Sequence, residues 1–263
     1  MKQELDQMLA ENIIRSSTSP WASPIVLVPK KDGKIRFCVD YCKVNQVAKF
    51  DAYAMPRMEE MFESIGTASV SSTLDLSKDY WQIPMAADSR EKTAFATPFG
   101  LYEFELMPFG LHNEAVTFQR TINHVLRGCQ KFARSYLDDV VVYSHSWSEH
   151  LQHLQEVFER LQQAALTVKL KKCWFGQDHT HYLGHVICGG EVQPDTEKVQ
   201  AVRDYPEPRT KKDVHSFLGL AGYYRHFIPK SLTVATPLTQ LTKRVDLTRS
   251  ALINRASASI EGG

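Results

Sequence analysis

The stretch ARSYLDDVVVYS, residues 133–144, decides how this chain is interpreted, because two adjacent aspartates interrupt a sequence typical of a buried strand. Leu137 precedes Asp138 and Asp139, and the apolar residues 140–143 follow them. An ionised carboxylate taken out of water is strongly destabilising unless a cation or hydrogen bonds compensate it. Aspartate is also common in the turn of a β-hairpin, so the pair by itself leaves both explanations open.

A third carboxylate lies upstream, where Asp75 stands between two leucines in TLDL, residues 73–76, at the end of a predicted strand. Adjacent strands of one sheet would bring Asp75 to Asp138 and Asp139. Three clustered carboxylates repel one another unless divalent cations lie between them, and such hard oxygen ligands suit Mg²⁺. The sequence therefore predicts a metal-binding carboxylate cluster at one end of a sheet.

Composition restricts the class of protein. The chain has 263 residues, 43% of them hydrophobic and 23% charged, which is enough to bury a core without disulfides. Five scattered cysteines without a C-x-x-C pair are typical of reduced intracellular thiols. The charged N-terminus and the absence of an apolar run of about 18 residues predict neither a signal peptide nor a membrane span. We therefore expect an intracellular protein, cytoplasmic or nuclear. Its acidic first part and basic second part are, on charge alone, explained by ordinary surface variation, and they would also suit a metal centre followed by a polyanion-binding surface.

Two hairpins are predicted from apolar runs joined by turn residues. The first spans residues 23–41 and turns at 31–34, and the second spans 93–110 and turns at 98–100. Further strands are predicted at LTVKLKK, residues 166–172, and within residues 181–192.

Helices are predicted at residues 55–66 and 113–128 and in a segment capped by Ser148. The buried stripe of that third helix is expected to contain Leu151, Leu154, Phe158 and Leu161. The chain from residue 194 to about 243 is predicted to be helical, with breaks at its prolines, Pro237 included. Strands and helices that do not alternate regularly favour an α+β fold.

Several motifs occur together in one order: PKKDGKIRFCVDY at 29–41, TLDL at 73–76, MPFGL at 107–111, TFQR at 117–120 and YLDD at 136–139. This ordered set resembles a reverse transcriptase. STSPWASPIVLVPKKDGK at 17–34, YLGHVI at 182–187 and FLGLAGYYRHFIPK at 217–230 resemble the polymerase segment of gypsy-type LTR retrotransposons. The resemblance extends from about residue 3 to residue 243.

The resemblance implies a right-hand polymerase core with an antiparallel palm sheet backed by helices. Fingers are expected at 1–49 and 83–113, palm at 50–82 and 114–190, and thumb at 191–245. Residues 246–263 depart from the family pattern and are expected to be a disordered tail. Neither RNase H, protease nor integrase chemistry is expected of this chain.

The implied activity is RNA-directed DNA synthesis, in which a primer 3′-OH attacks the α-phosphate of a dNTP on an RNA or DNA template. Two Mg²⁺ ions, or Mn²⁺ as a substitute, are implied as cofactors. The implied partners are template, DNA primer and dNTPs, without a membrane, and the oligomeric state is left open.

Residue roles follow from the resemblance alone. The catalytic metal ligands are Asp75, Asp138 and Asp139, with the carbonyl group of Leu76. The dNTP-binding set comprises the fingers cations Lys30 and Arg36, the sugar gate Tyr80, and Phe109 and Gly110. The primer grip is Tyr182, Leu183, Gly184 and His185, and the duplex-tracking thumb residues are Gly219, Tyr223 and Arg225. Phosphate contacts are expected from Lys211, Lys212 and Lys230 as well.

Four positions depart from the family pattern. Asp79 replaces the glycine before the gate tyrosine, and Cys42 replaces an arginine in DYCKVN. NEAVTFQ stands where the family has Asn-Ala-Pro-Ala-Thr-Phe-Gln, which puts Glu114 and Ala115 at the start of a palm helix. These departures leave two alternatives open: a working polymerase, or a decayed retrotransposon remnant that at most binds nucleic acid or another partner.

A zinc site is a further alternative, because cysteines and histidines cluster between residues 173 and 188. The candidate ligands are Cys173, His179, His181, His185 and Cys188. Their spacing matches no common zinc knuckle or finger, and the segment coincides with the implied primer grip.

Overall fold

The structure, a computed structural model, describes residues 1–29, 35–76, 79–188 and 191–242, with the backbone alone at positions 35, 36 and 79. It divides into two compact units. The first contains Met1–Tyr182 and Cys188–Gly190, and the second contains Leu183–Ile187 and Glu191–Gly263.

The first unit mixes helices and strands. Its helices are α1 (Lys2–Ala10), α2 (Cys42–Val47), α3 (Met58–Gly66), α4 (Ala87–Arg90), α5 (Glu114–Val125) and α6 (Trp147–Gln163). Its strands are β1 (Ile14–Ser16), β2 (Ile25–Pro29), β3 (Ile35–Val39), β4 (Val70–Asp75), β5 (Phe95–Thr97), β6 (Gly100–Phe104), β7 (Ala133–Tyr136), β8 (Asp139–Ser144), β9 (Trp174–Gln177) and β10 (Thr180–Tyr182). The predicted α+β class is confirmed.

The carboxylate sheet, with strand order β7-β8-β4-β9, positions the aspartates. Its central pair runs antiparallel from Val70 opposite Ser144 to Asp75 opposite Asp139. In β8 the three valines at 140–142 are fully buried, because a central strand has covered faces on both sides. Helices α5 and α6 contribute Phe118, Ile122, Val157 and Leu161 to the same core.

A second sheet, with strand order β1-β6-β5, lies next to the N-terminal helix. Leu5 and Met8 of α1 are buried in one cluster with Phe95 and Phe104 of this sheet. The predicted hairpin turning at 98–100 is β5 and β6. The predicted hairpin of 23–41 is β2 and β3, and its turn at 31–34 lies outside the described residues.

The second unit contains β11 (His185–Cys188, of which Cys188 belongs to the first unit), β12 (Glu191–Pro194) and helices α7 (Thr196–Arg203), α8 (Lys211–Tyr223) and α9 (Ser231–Thr242). The N-termini of α7 and α8 are capped by side chains. Asp195 accepts a hydrogen bond from the backbone of Glu197, and Thr210 forms a capping box with Asp213. These caps satisfy N–H groups that have no partner inside the helix.

The third predicted helix is offset from its predicted register. Ser146, and not Ser148, caps α6 by accepting a hydrogen bond from the backbone of Glu149. His150 faces inward because Ser72 and Ser144 bind its ring, and Leu151 is 51% exposed. The predicted stripe was therefore wrong at Leu151, since hydrogen bonding to the sheet selected a histidine for the buried face.

Two other local predictions were wrong. Residues 166–172 do not form a continuous strand, because Val168 makes an isolated bridge to Leu76 and Leu170–Lys172 form a 3₁₀ turn. Helix α9 continues through Pro237 instead of breaking there. A proline removes one intrahelical hydrogen bond, which weakens a helix without always ending it. Nowhere in the described part of the chain is a helix both long and apolar enough to cross a membrane.

Candidate active site

The three predicted catalytic aspartates meet at one end of the carboxylate sheet. Asp75 ends β4 and Asp139 begins β8, and the two are directly paired across the strands. Asp138 lies in the turn before Asp139, and its carbonyl oxygen accepts a hydrogen bond from the Leu76 N–H at 3.0 Å. The strands thus bring together residues that are far apart in sequence, and Leu76 lies beside them.

The turn that carries Asp138 is strained. Tyr136 pairs with Asp139, so Leu137 and Asp138 form a two-residue turn between β7 and β8. Leu137 has φ 53°, in the left-handed region, which costs a branched residue about 1–3 kcal/mol. Such strain persists only where neighbouring groups hold the backbone in place.

Gln119 of α5 supplies this support. Its Oε1 atom accepts the Leu137 N–H at 2.6 Å, and its Nε2 atom donates to the Ser135 carbonyl oxygen at 3.0 Å and to Asn123 at 3.0 Å. The Gln119 side chain is fully buried. Gln119 belongs to the TFQR motif, but no role was predicted for it. It could have been found as an amide side chain next to Phe118, on the apolar face of a helix that also carries Ile122.

A lysine that the sequence analysis did not single out neutralises Asp75. The Nζ atom of Lys172 lies 2.9 Å from Oδ2 of Asp75, whose side chain is 15% exposed. The backbone N–H of Lys169 also donates to the Asp75 carbonyl oxygen at 2.8 Å. The 3₁₀ turn Leu170–Lys172, found where a strand was predicted, thus brings the Lys172 ammonium group to the Asp75 carboxylate.

Tyr182, predicted in the primer grip, lies against Asp139. Its hydroxyl donates to the Asp139 carbonyl oxygen at 3.0 Å, and the residue is 3% exposed. Burial, followed by the charge of Asp139, raises the pKa of Tyr182 well above its ordinary value. Tyr182 is therefore a neutral hydrogen-bond donor that holds the backbone of Asp139, a predicted catalytic residue.

The predicted sugar gate and its neighbour are in contact. Tyr80 lies in the 3₁₀ turn Asp79–Gln82, and its ring centroid is 5.2 Å from that of Phe109 and 5.5 Å from that of Phe118. Trp81 also approaches Phe109, at 5.9 Å. Edge-to-face packing of this kind fixes ring orientation. Phe109 nevertheless remains 46% exposed, so the pair presents an aromatic face to solvent.

The remainder of the predicted primer grip belongs to the second unit. The Leu183 carbonyl oxygen accepts the Tyr223 hydroxyl at 2.7 Å, and the Gly184 carbonyl oxygen accepts the Tyr224 hydroxyl at 3.2 Å. Leu183 and Gly184 both have positive φ, at 48° and 69°. The two tyrosines thus hold a tight turn.

His185 is 3% exposed and packs against Tyr223, Tyr224 and Phe227, with ring centroids 5.5–5.6 Å apart. Burial lowers the pKa of His185. Arg225 lies in the 3₁₀ turn Arg225–Phe227, next to this cluster. Gly219 lies on α8, where a Cβ atom would meet nothing within 4 Å.

Three predicted residues are described in part or not at all. Lys30 lies outside the described residues, and Arg36 and Asp79 are described by their backbone alone. The backbone of Arg36 pairs with Val28 in the β2–β3 hairpin.

Cys42 begins α2, and its N–H donates to Oδ1 of Asp40 at 2.9 Å. The hydrogen bond with Asp40 raises the pKa of the Cys42 thiol. Ala115 lies in the first turn of α5.

No group of three or more His, Cys, Asp or Glu residues within the described ranges is arranged to hold a metal ion. The zinc alternative, with Cys173, His179, His181, His185 and Cys188, therefore gains no support. The ring of His179 instead contacts Asp178 and His181. Asp75, Asp138 and Asp139 lie together at the end of the carboxylate sheet, but their carboxylates do not form such a group, and Asp75 is paired with Lys172.

A family profile described as reverse transcriptase (RNA-dependent DNA polymerase) matches residues 28–187. The chain belongs to this family. It is 40% identical over 250 residues to the Pol polyprotein from transposon 297 and 38% identical over 247 residues to that from transposon gypsy, both of Drosophila melanogaster. The alignments cover 93% and 91% of this chain and 24% of each relative, so the chain spans about a quarter of their length.

Solved reverse transcriptases have the same fold. The foamy viral protease-reverse transcriptase in complex with RNA/DNA hybrid is 26% identical with a TM-score of 0.84, over 99% of this chain and 36% of that one. The foamy viral protease-reverse transcriptase dRH in complex with double-stranded DNA is 27% identical with a TM-score of 0.83, over 100% and 48%. The polymerase fold predicted from the motifs is confirmed, and family membership implies dependence on a divalent metal.

Proposed function

We propose that this chain is the polymerase segment of a retrotransposon reverse transcriptase, which transfers a nucleotidyl group from a dNTP to a primer 3′-OH on an RNA or DNA template. The observation that carries the proposal is the direct pairing of Asp75 with Asp139, with Asp138 in the adjacent turn. Membership of the reverse transcriptase family supports the same chemistry.

The donor set fits divalent cations. Asp75, Asp138 and Asp139 offer carboxylates, and Leu76 offers a carbonyl oxygen, which are hard ligands suited to Mg²⁺ or Mn²⁺. Lys172 already pairs with Asp75, so a bound metal would have to displace its ammonium group from that carboxylate. Two such ions, when bound, would activate the primer hydroxyl and stabilise the leaving pyrophosphate.

The chain's own residues would orient the reactants. Tyr80 and Phe109 would contact the sugar of the incoming dNTP, beside Gly110. Lys30 and Arg36 would hold its triphosphate, a point charge and a fork that suit phosphate oxygens. The ring contact between Tyr80 and Phe109 supports this assignment, because it joins two residues to which the same ligand is assigned.

Primer and template would bind through the Tyr182–His185 segment and the thumb residues Gly219, Tyr223 and Arg225. The solved relatives that contain double-stranded DNA and RNA/DNA hybrid support a nucleic-acid duplex as the partner. Fingers at 1–49 and 83–113, palm at 50–82 and 114–190, and thumb at 191–245 are the proposed domains. A cytoplasmic or nuclear location is proposed with them.

Primer extension tests the activity. Poly(rA)·oligo(dT) and poly(dA)·oligo(dT) are supplied with dTTP and Mg²⁺, and extension on both is expected. Asp138→Asn should abolish extension, while Asp6→Asn, the same substitution at an exposed position of α1, should not.

A folded protein that fails to extend either template would contradict the proposal and favour the decayed remnant. Extension that survives Asp138→Asn would point to a contaminating polymerase. Binding of a labelled RNA/DNA duplex without extension would identify the remnant as a nucleic-acid-binding protein.

A further inference from the structure

The loop at residues 109–112, here the nucleotide loop, is held by a side chain of α2. Nδ2 of Asn45 donates to the Gly110 carbonyl oxygen at 2.8 Å, and Oδ1 of Asn45 accepts the His112 N–H at 2.8 Å. Gly110 has φ 96°, which only glycine adopts readily. The side-chain amide of Asn45 therefore holds both the carbonyl group of Gly110 and the backbone N–H of His112.

The opposite side of the same residue is held by Glu114. The Gly110 N–H donates to Oε2 of Glu114 at 2.6 Å, a short bond to a carboxylate. Glu114 is the first residue of α5, where a negative charge is favourable. Burial raises the pKa of the Glu114 carboxyl, and the N–H groups of Gly110 and Leu111 act in the opposite direction. The carboxylate is thus kept half-buried by backbone donors of the nucleotide loop.

The bonded N–H belongs to the peptide group that joins Phe109 to Gly110. Holding that peptide group places the Cα atom of Phe109 in its plane and thereby restrains where the Phe109 side chain begins. The Phe109 ring in turn lies 5.2 Å from Tyr80 and 5.9 Å from Trp81, measured between ring centroids. The hydrogen bond to Glu114 therefore restrains the backbone directly beside Phe109, whose ring makes these aromatic contacts.

We propose that Glu114 is a positioning residue for the incoming nucleotide, which holds the Phe109–Gly110 peptide group so that Phe109 stays against the gate Tyr80. The inference rests on the proposed polymerase function. It is specific to this chain, because the family pattern NAPATFQ has alanine where Glu114 stands. The departure that counted against activity in the sequence thus becomes a substitution that stabilises the site.

The test compares Glu114→Ala, Glu114→Gln and Glu149→Ala. Glutamine keeps an acceptor oxygen, and Glu149 is an exposed acid in the first turn of α6. Hydrogen exchange is measured on the peptide that covers residues 108–112. Exchange at Gly110 should become faster in Glu114→Ala only, because that N–H loses its acceptor.

The second readout is steady-state primer extension at varied dTTP concentration. Glu114→Ala should raise the KM for dTTP about ten-fold while kcat stays within about two-fold, since a lost bond to a charged acceptor is worth roughly one power of ten. Glu114→Gln and Glu149→Ala should keep the wild-type KM. A general loss of folding would instead lower kcat and leave the KM unchanged.

Unchanged exchange in Glu114→Ala, or an unchanged KM beside faster exchange, would overturn the inference. An equal KM increase in Glu114→Gln would also overturn it, because the charge and not the hydrogen bond would then be responsible. A wild-type protein without extension would contradict the polymerase proposal separately. The exchange contrast would then decide whether Glu114 holds the loop, since it needs no turnover.

Discussion

Lys172 and Asp75 form an ion pair at the catalytic end of the carboxylate sheet, with 2.9 Å between Nζ and Oδ2. The lysine side chain is 56% exposed, so water screens the pair and its contribution is about 1 kcal/mol or less. The ammonium group occupies a carboxylate that the proposed function assigns to a metal. Under the proposed function, Lys172 and a bound metal would compete for Asp75.

Lys172→Met should lower the Mg²⁺ concentration that gives half-maximal primer extension, by about two- to five-fold, because a weak competitor is removed. The measurement is a Mg²⁺ titration at saturating dTTP. Lys171→Met is the matched control, since Lys171 is the exposed neighbour in the same 3₁₀ turn. A midpoint that rises would show instead that Lys172 assists the reaction.

Gln119→Leu should destabilise the first unit by about 1–3 kcal/mol, because the part-buried N–H of the strained residue Leu137 loses the acceptor that the fully buried Gln119 supplies. Urea unfolding followed by circular dichroism measures the loss. Extension should fall as well, since the turn carries Asp138. Gln155→Leu, which replaces a glutamine that bonds to Glu159 at the helix surface, should leave both quantities unchanged. Equal stability of the two variants would contradict the support assigned to Gln119.

Tyr182→Phe should reduce stability by about 0.5–1.5 kcal/mol, because the hydroxyl that binds the Asp139 carbonyl oxygen at 3.0 Å is lost. Extension should decrease several-fold, since the backbone of Asp139 is less constrained. The control Tyr143→Phe, in β8, removes a longer bond, 3.3 Å, to the Gln130 carbonyl oxygen. If both variants keep full extension, Tyr182 does not position Asp139.

Stability should decrease as the pH falls below about 6.5, the ordinary pKa of histidine. Burial, and secondarily the charge of His153, lowers the pKa of His150, which is fully buried between Ser72 and Ser144. Below pH 6.5 the unfolded chain binds a proton at His150 that the folded state does not bind. The contribution of His150 to the free energy of unfolding is therefore complete above pH 6.5, and it is lost as the pH falls towards the lower pKa of His150 in the folded state.

The check is the difference in urea midpoint between pH 7.5 and pH 5.5. His150→Gln should reduce this difference, while His145→Gln, at an exposed position, should retain it. His185 also has a lowered pKa, so part of the difference should persist in His150→Gln. An identical pH response of wild type and His150→Gln would refute the assignment.

Asp79→Gly should increase the rate of extension several-fold. The resemblance implies glycine there, and a carboxylate would repel a bound triphosphate by about 3 kcal/mol per phosphate charge at an assumed separation of ~5 Å and an effective dielectric constant of about 20, before screening. Asp79→Asn is the control, since it removes the charge without changing backbone freedom. A rate that increases with glycine alone would implicate the backbone of the turn Asp79–Gln82, and an unchanged rate in both would refute the charge argument.

The local sequence was sufficient to predict an element wherever its residue pattern fitted only one kind of secondary structure. Strand β4 was predictable because its β-branched and serine residues end at Asp75, and β8 because a run of valines follows Asp139. Hairpins were predictable because turn residues separated β-branched segments. No helix was predicted at α1, because its many charged residues make the apolar spacing of the buried Leu5 and Met8 hard to recognise. The sequence failed at His150 too, since only Ser72 and Ser144 make a buried histidine favourable.

The sequence by itself determined the family, the fold class and the identity of the three aspartates, because ordered motifs and strand patterns are properties of the chain alone. The tertiary structure decided which groups support them. Lys172 reaches Asp75, Gln119 holds Leu137 and Glu114 binds Gly110 through contacts between separate elements. A hydrogen bond or ion pair depends on distances of about 3 Å, and only the folded packing of strands, turns and helices sets those distances.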